Sequence, residues 1–297
     1  SYYENLTARN QDDERTEEAD KVSSRIAQIL SEPSFNFSPS HLIAIHKRLF
    51  EGIFKFAGKI RDYDITKKEW VLNGDTVMYG ASFELKAALD YDFEMERNFK
   101  YKGLSTDEII KHITFFVSRL WQIHAFGEGN TRTIAVFTIK YLRSMGYKVD
   151  NDIFAQNSWY FRNALVRANY KNLKEGIEEN PVYLERFFRN LILGENNELK
   201  NRYTHIDYDE YIKKFGENEK SSEKNQSINN TAKITQKITV KITVNQQKII
   251  DVIKENPFAT QEELSNIVGI ARLNINKNMK KLQKEGFIKR VGADKNG

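Results

Sequence analysis

Residues 106–132, TDEIIKHITFFVSRLWQIHAFGEGNTR, decide the fold of this protein. Apolar side chains occupy most sides of the first eighteen residues, which predicts a helix in the centre of a bundle. Thr106 is the expected N-cap, and Asp107 and Glu108 suit the positive end of the helix dipole. The helix ends at a loop with two glycines, and a second apolar helix is predicted over residues 132–145. The sequence therefore predicts a polar loop that connects two buried helices and is held in a fixed position by them.

Helical periodicity continues on both sides of this pair. Amphipathic helices are predicted over residues 16–31, 40–50, 81–99, 158–173 and 182–193. Residues 59–78 alternate around a Lys-rich turn instead, which predicts a β-hairpin. The expected fold class is therefore mainly α, a helical bundle with a β-hairpin flap over residues 1–206.

The C-terminal part of the chain has a different organisation. Residues 207–245 are polar and contain the repeat KITQKITVKITV, which is typical of a linker. Residues 246–297 carry helical patterns over 246–255, 261–268 (with Thr260 as its cap) and 272–284, and then a strand pattern from Phe287 to Val291. This order predicts a small winged helix-turn-helix domain, whose second wing strand would fall beyond Gly297.

Composition narrows the class of protein. Hydrophobic residues make up 40% and charged residues 29% of the 297 residues, as in soluble globular proteins. The absence of cysteine excludes disulfides, a thiolate nucleophile and Cys-ligated zinc, and it fits a reducing compartment. No apolar run approaches the roughly 18 residues of a membrane span, and no secretory signal is visible. We therefore expect a cytoplasmic protein with no membrane partner.

Charge is concentrated in the C-terminal part. Residues 231–297 hold 13 Lys and Arg against 6 Asp and Glu, within a net charge of +5 for the whole chain. This excess indicates a polyanion such as DNA, although a solvated Lys-rich surface or a protein-docking module would have the same composition. The residues available to a major groove are Arg272, Asn274, Asn276 and Lys277, with Asn278 beside them. Candidates for phosphate contacts are Lys280, Lys281, Lys289 and Arg290.

The loop His124–Arg132 carries groups that suit a bound phosphate. It precedes a helix N-terminus, where free N–H groups and the dipole favour an anion. Gly127 and Gly129 permit positive φ and let the backbone approach that anion closely. Glu128 offers the hard oxygen that Mg²⁺ prefers, and Arg132 can hold a polyphosphate with two hydrogen bonds.

His124 is the only side chain of this loop that can take up a proton near neutral pH, so it is the general-base candidate. Phe126 is expected to anchor the loop in the core. The same residues also fit a glycine-rich interhelical turn, with Asn130 as helix cap and His124 as a structural residue. Five chemically distinct groups within nine residues favour phosphate binding over that alternative.

The segment resembles the signature of the Fic family, His-x-Phe-x-(Asp/Glu)-Gly-Asn-Gly-Arg-x-x-Arg. The matching positions are His124, Phe126, Glu128, Gly129, Asn130 and Arg132. Upstream, the segment Phe56–Arg61 resembles the family's usual lead into its flap hairpin. The resemblance covers residues 43–193.

The resemblance implies an enzyme that transfers AMP from ATP, with Mg²⁺ as cofactor, to a Ser, Thr or Tyr hydroxyl of a protein substrate, which could be the chain itself. In such a site His124 deprotonates the hydroxyl, which attacks the α-phosphate. Glu128 binds Mg²⁺, Asn130 with the loop amides surrounds the phosphates, and Arg132 contacts the outer phosphates.

The remaining site residues follow from the same resemblance. Phe126, Gly127, Gly129 and Thr131 complete the nucleotide-binding loop. The flap, about residues 65–72, pairs with the target backbone through Ile65, Lys67, Trp70 and Leu72. Tyr160 and Asn163 are candidates for the adenosine pocket, and packing on an amphipathic helix is the competing interpretation of both.

Departures from the signature bear on activity and control. Thr131 replaces the second glycine, whereas Gly129 is retained, which favours nucleotidyl transfer over the phosphoryl transfer of Doc-type relatives. Ala135 replaces the final arginine. In many relatives that arginine pairs with the glutamate of an inhibitory Ser-x-x-x-Glu helix. Here Ser23–Gln28 resembles that motif, but Ala27 stands where the glutamate would be.

Two interpretations of these departures are open. In the first, the enzyme lacks an intrinsic brake and is controlled by homo-oligomerisation or by a separate inhibitory protein. In the second, the chain binds ATP poorly without that arginine, and the loop is degenerate. A separate alternative for the function is a DNA-binding regulator whose Fic-like part only senses nucleotide. We favour the first, because every residue needed for chemistry at the α-phosphate is present.

Overall fold

The computed structural model describes residues 11–208, 244–255, 259–284 and 287–288. The chain divides into two compact units, Ser1–Ile206 and Asp207–Gly297. Most of the predicted linker, residues 207–245, lies outside the described residues. No helix in the described ranges is both long enough and apolar enough to cross a membrane.

Helices dominate the first unit. Within residues 11–208 the α-helices are α1 (Gln11–Ser31), α2 (Pro39–Phe50), α3 (Leu85–Asn98), α4 (Thr106–Ile123), α5 (Asn130–Ser144), α6 (Asp152–Gln156), α7 (Ser158–Ala168) and α8 (Val182–Leu193). Short 3₁₀ turns occur at Trp70–Leu72, Ser82–Glu84 and Asn201–Thr204. The predicted mainly helical class is confirmed.

Helix α4 is the predicted central helix, and half of its eighteen residues are buried. Its N-cap is Ser105, one residue before the predicted Thr106. The Ser105 hydroxyl accepts a hydrogen bond from the Glu108 N–H, and the Glu108 carboxylate accepts one from the Ser105 N–H. This capping box satisfies two otherwise free donors at once. Phe115 departs from the predicted apolar surface, because its side chain is 59% exposed.

Basic side chains of α5 cap the C-terminal end of α1. The Lys140 ammonium donates hydrogen bonds to the carbonyls of Ile29 (3.0 Å) and Glu32 (2.7 Å). Arg143 donates to the carbonyl of Leu30 at 2.7 Å. Positive side chains are favourable at a helix C-terminus, where the last carbonyls lack partners within the helix. The side chains of α5 therefore fix the end of α1.

The predicted β-hairpin over residues 59–78 is not confirmed, because no strand forms in this segment. Val71 and Leu72 turn into the core, where both are buried. Glu69 is buried too and pairs with Arg162 through hydrogen bonds of 2.5 and 2.8 Å. Residues 59–78 form an irregular loop, which we call the flap segment, and more buried and exposed residues alternate there only from Ile65 to Val71.

The second unit has a core of its own. Its helices are α9 (Val244–Glu255), α10 (Gln261–Val268) and α11 (Arg272–Lys284). The apolar residues buried between them are Ile249, Ile250, Leu264, Val268, Ile275 and Leu282. Thr260 caps α10 as predicted, and Gly269 ends it in the left-handed conformation. Of the predicted strand at residues 287–291, residues 289–291 lie outside the described residues.

Candidate active site

His124 lies at the C-terminus of α4 and is 3% exposed. Its backbone adopts the left-handed conformation (φ 51°), and its ring centroid is 4.2 Å from that of Tyr79. Neither ring nitrogen has a hydrogen-bond partner among the described residues. Burial and the nearby charge of Lys67 hold the pKa of His124 well below its usual value of 6.5. His124 is therefore a neutral imidazole near pH 7, which is the form that a general base requires.

The loop is closed by Asn130, the first residue of α5. Its Oδ1 accepts a hydrogen bond from the Phe126 N–H at 3.0 Å, and its Nδ2 donates to the Phe126 carbonyl at 2.7 Å. The Phe126 ring is buried and stacks on His46 with centroids 3.8 Å apart. Both side chains therefore shape the loop, and the Phe126 N–H is used inside it.

The buried side chain of His46 on α2 holds the backbone of the loop His124–Arg132 by a hydrogen bond. Its Nδ1 accepts a hydrogen bond from the Gly58 N–H at 2.9 Å, so the proton of the neutral ring lies on Nε2. That Nε2 lies 3.0 Å from the Glu128 carbonyl oxygen and donates to it. Burial lowers the pKa of His46 to about 4. Sequence reasoning assigned no role to His46, although its place on the apolar stripe of α2 was a signal of burial.

Arg61 joins the flap segment to the end of α4. It is buried and donates hydrogen bonds to the carbonyls of His124 (2.8 Å), Gly80 (2.5 Å) and Tyr63 (2.6 Å). Its backbone N–H donates to the Ala125 carbonyl at 2.9 Å. One guanidinium thus fixes both ends of the flap segment and the backbone of the candidate base.

The two glycines of the loop serve different purposes. Gly129 has a φ of +79°, and a Cβ built there would lie 2.4 Å from the Phe50 ring. Gly127 does not have a positive φ, and a Cβ built there would lie 2.5 Å from the Tyr63 hydroxyl. The predicted need for positive φ is therefore met only at Gly129. Gly127 provides space beneath Tyr63.

Glu128 is ionised and partly exposed. Its Oε2 lies 3.0 Å from the Lys67 ammonium of the flap segment, and its Oε1 accepts from the Gly129 N–H at 3.1 Å. Burial tends to raise the pKa of Glu128, but the charge and hydrogen bond of Lys67 outweigh it, so the pKa is lowered. Among the described residues there is no group of three or more His, Cys, Asp or Glu that could hold a metal. A metal at Glu128 would therefore need ligand oxygens from a substrate.

Arg132, in the first turn of α5, is held by α1. Its Nη2 lies 2.5 Å from Oε1 of the buried Glu18, and its guanidinium lies over the Phe50 ring at 4.8 Å. Ala27, where the resemblance placed an inhibitory glutamate, is exposed. Helix α1 therefore does bring a carboxylate to the loop, nine residues earlier in the sequence than expected.

The two adenosine-pocket candidates lie in the interior of the first unit. Tyr160 is 1% exposed, and its hydroxyl donates to the Tyr183 carbonyl at 3.1 Å. Asn163 is buried and donates from Nδ2 to Oδ1 of Asn201 at 3.1 Å. These contacts favour the packing interpretation of both residues.

The flap residues separate into two groups. Leu72 is buried, so its side chain belongs to the core. Trp70 is 54% exposed and packs edge-on against His205, while Ile65 and Lys67 are partly exposed. Trp70, Ile65 and Lys67 are the predicted target-positioning residues that remain accessible.

In the second unit, α11 presents the predicted DNA-contacting residues. Arg272, Asn274 and Lys277 are exposed, and Asn276 is partly exposed. Ile275 is fully buried, which orients the helix with this polar face outward. Lys289 and Arg290 lie outside the described residues.

Each of the two units contains a stretch that matches a known protein family. Residues 36–142 match the Fic/DOC family, and residues 243–289 match the winged helix-turn-helix DNA-binding family. The chain therefore contains a Fic/DOC domain followed by a winged helix-turn-helix domain.

Two curated relatives share the first of these domains. The protein adenylyltransferase VbhT of Bartonella schoenbuchensis is 29% identical over 120 residues, which is 40% of this chain and 24% of that protein. The probable protein adenylyltransferase y4lH of Sinorhizobium fredii is 27% identical over 148 residues, 49% of this chain and 71% of that protein. The match thus spans about a quarter of the first relative.

Solved structures confirm the fold. The N-terminal Fic domain of a VirB-translocated Bep effector protein from Bartonella quintana, solved with bound ADP, superimposes with a TM-score of 0.51. The corresponding domain from Bartonella sp. AR 15-3 gives a TM-score of 0.50. Both are 21% identical and cover 63% of this chain, and 88% and 84% of their own chains, respectively.

Proposed function

We propose that this chain is a protein adenylyltransferase that transfers AMP from ATP to a Ser, Thr or Tyr hydroxyl of a protein, using the loop His124–Arg132. The observation that carries the proposal is the neutral, enclosed His124 beside the N-terminus of α5. The named activity of the two curated relatives supports it.

His124 acts as the general base. Its imidazole takes the proton of the target hydroxyl as the hydroxyl oxygen attacks the α-phosphorus. The bond from that phosphorus to the bridging oxygen breaks, and pyrophosphate leaves. Arg61 keeps the ring in place by holding the His124 carbonyl, and enclosure under Tyr79 limits the access of water to the base.

The first turn of α5 receives the phosphates. Its free N–H groups and dipole favour an anion there, and Gly129 lets the backbone approach closely. Arg132 supplies positive charge for the outer phosphates once it separates from Glu18. Gly127, Phe126 and Asn130 contribute by shaping this loop.

Glu128 fits a Mg²⁺ ion carried in with ATP, because it is an ionised oxygen ligand at the loop. Mg²⁺ typically takes one or two carboxylates together with substrate phosphates and waters. Held there, such an ion would stabilise negative charge on the phosphates. Lys67, now paired with Glu128, must move aside for that ion.

The proposal is tested by label transfer. The protein is incubated with Mg²⁺ and either α-labelled or γ-labelled ATP, with and without a bacterial extract as a source of targets. We expect protein-bound label from the α position only, lost in His124→Ala and Glu128→Ala but kept in the control His41→Ala. Label only from the γ position would indicate a kinase. Intact ATP binding with no label would favour the nucleotide sensor.

We further propose that the second unit binds DNA through α11. The family match and the exposed Arg272, Asn274 and Lys277 support this role. Duplex DNA should bind with an affinity that falls steeply as salt rises. The double variant Arg272→Ala/Lys277→Ala should weaken binding, whereas Lys248→Ala on α9 should not. Equal affinity in all three proteins would contradict the assignment.

A further inference from the structure

Thr131 stands where the Fic signature has glycine, and it occupies the second position of α5. Its backbone is helical, because the only non-glycine residues with positive φ among the described residues are Asn73 and His124. A β-branched residue is therefore accommodated without strain. Its side chain is partly exposed beside the free N–H groups of the helix N-terminus.

The indole of Trp121 fixes this hydroxyl. Trp121 Nε1 lies 3.0 Å from Thr131 Oγ1, and the Trp121 side chain is fully buried in α4. An indole N–H can only donate, so the hydroxyl oxygen must accept in this contact. The hydroxyl proton is thereby left for an acceptor elsewhere, and the described residues provide none.

Thr133 shows the alternative use of a hydroxyl in the same helical turn. Its Oγ1 donates to the Gly129 carbonyl four residues earlier, at 2.9 Å, and the side chain is fully buried. Back-bonding of this kind is one arrangement open to threonine within a helix. Thr131 makes no such bond, since the residue four positions earlier, Gly127, lies before the N-cap of α5, and its Oγ1 accepts from Trp121 on α4 instead.

The positive side chains at the loop are already paired. Arg132 contacts Glu18, and Lys67 contacts Glu128. The position of the missing arginine is taken by Ala135, which is buried. Unlike those two side chains, the Thr131 hydroxyl is a neutral hydrogen-bond donor at the first turn of α5, and no carboxylate contacts it.

We propose that the Thr131 hydroxyl, oriented by Trp121, donates a hydrogen bond directly to a phosphate oxygen of the bound nucleotide. Thr131 is then a substrate-contacting residue, and Trp121 is a positioning residue that acts through it. The ligand class is a nucleoside di- or triphosphate, so the inference rests on the proposed function. A donor of this kind partly replaces the arginine absent at position 135.

Nucleotide binding to the full chain tests this inference. The dissociation constants of ADP and of adenylyl imidodiphosphate are measured by calorimetry, with thermal melting as a check of folding. Thr131→Ser keeps the hydroxyl and should bind within about two-fold of the wild type. Thr131→Val keeps the shape, lacks the donor, and should bind about ten-fold more weakly, as expected for a hydrogen bond to a charged group.

Trp121→Phe provides the second measurement. In the Thr131 background it should weaken binding several-fold, and in the Thr131→Val background it should have no further effect. If transfer activity is present, the loss in Thr131→Val should appear in KM for ATP more than in kcat.

Wild-type affinity in Thr131→Val, or the same effect of Trp121→Phe in both backgrounds, would overturn the inference. Nucleotide binding by the wild type without transfer of α-label would contradict only the proposed function. A wild-type protein that binds neither nucleotide would overturn both.

Discussion

Glu18 of α1 forms an ion pair with Arg132 of α5, with 2.5 Å between Oε1 and Nη2. The pair lies at the turn that we assign to the phosphates, and Glu18 is buried there. A polyphosphate that uses Arg132 must therefore compete with this carboxylate. Helix α1 thus provides a carboxylate that pairs with Arg132, although the resemblance pointed to Ala27 instead.

Glu18→Gln should strengthen nucleotide binding. Removing the carboxylate charge frees Arg132, and the dissociation constant of adenylyl imidodiphosphate should fall by about five-fold, the scale of a partly exposed ion pair. Asp20→Asn is the matched control, because Asp20 is exposed on the same helix. Equal affinity in Glu18→Gln and the wild type would show that the pair does not oppose nucleotide binding.

Lys67→Met should reduce the Mg²⁺ concentration needed for half-maximal activity. The Lys67 ammonium contacts Glu128 Oε2 at 3.0 Å, so it competes with the metal for that carboxylate. We expect a shift of about three- to ten-fold, consistent with the loss of a partly buried charged hydrogen bond. Lys68→Met is the control, since Lys68 is exposed. An unchanged Mg²⁺ dependence in Lys67→Met would argue against competition at Glu128.

Gly129→Ala should destabilise the protein by more than about 2 kcal/mol and abolish nucleotide binding. The new Cβ meets the Phe50 ring at 2.4 Å, and φ is +79°, which is unfavourable for alanine. Gly127→Ala should be milder, because the Tyr63 side chain it meets is exposed and can move. Urea denaturation compares the two variants. Equal losses of stability would contradict the distinction between the two glycines.

Stability should fall as the pH drops from about 7.5 to about 5.5. The pKa of His46 is about 4 in the fold, against 6.5 in its ordinary state. Between those values the unfolded chain binds a proton that the folded chain does not, so acid favours unfolding. His46 alone accounts for about 1 kcal/mol over this interval.

Urea denaturation at both pH values measures this effect. His46→Gln should lose less stability between them than the wild type does, whatever its stability at pH 7.5. The lowered pKa of His124 acts in the same direction in both proteins. A loss as large in His46→Gln as in the wild type would show that His46 is not buried in its neutral form.

Local sequence signals predicted much of the fold. Apolar periodicity and capping residues placed α2, α4, α8, α10 and α11 within a residue or two, because helix ends depend on adjacent side chains. Residues 158–173 were predicted as one helix, but α7 ends at Ala168. There the Asn169 side chain donates hydrogen bonds to the Leu165 and Ser118 carbonyls, which is a tertiary arrangement.

Contacts between distant segments could not be predicted in this way. Arg61 reaches the His124 carbonyl across 63 residues, and Lys67 reaches Glu128 across 61. Glu18 and Arg132 are farther apart still in the sequence. The candidate catalytic and phosphate-binding residues lie within one short loop, so the sequence alone could identify them. The residues that hold this loop in place or pair with its charged side chains come from α1, α2 and the flap segment.

The most direct test of the account is the chemical identity of the product. The chain is incubated with MgATP and a bacterial extract, and the proteins are digested and analysed by mass spectrometry. We predict peptides with an adenylyl group on Ser, Thr or Tyr, present with the wild type and absent with His124→Ala. Phosphorylated peptides in their place, or no modification by a wild-type chain that binds ATP, would contradict the account.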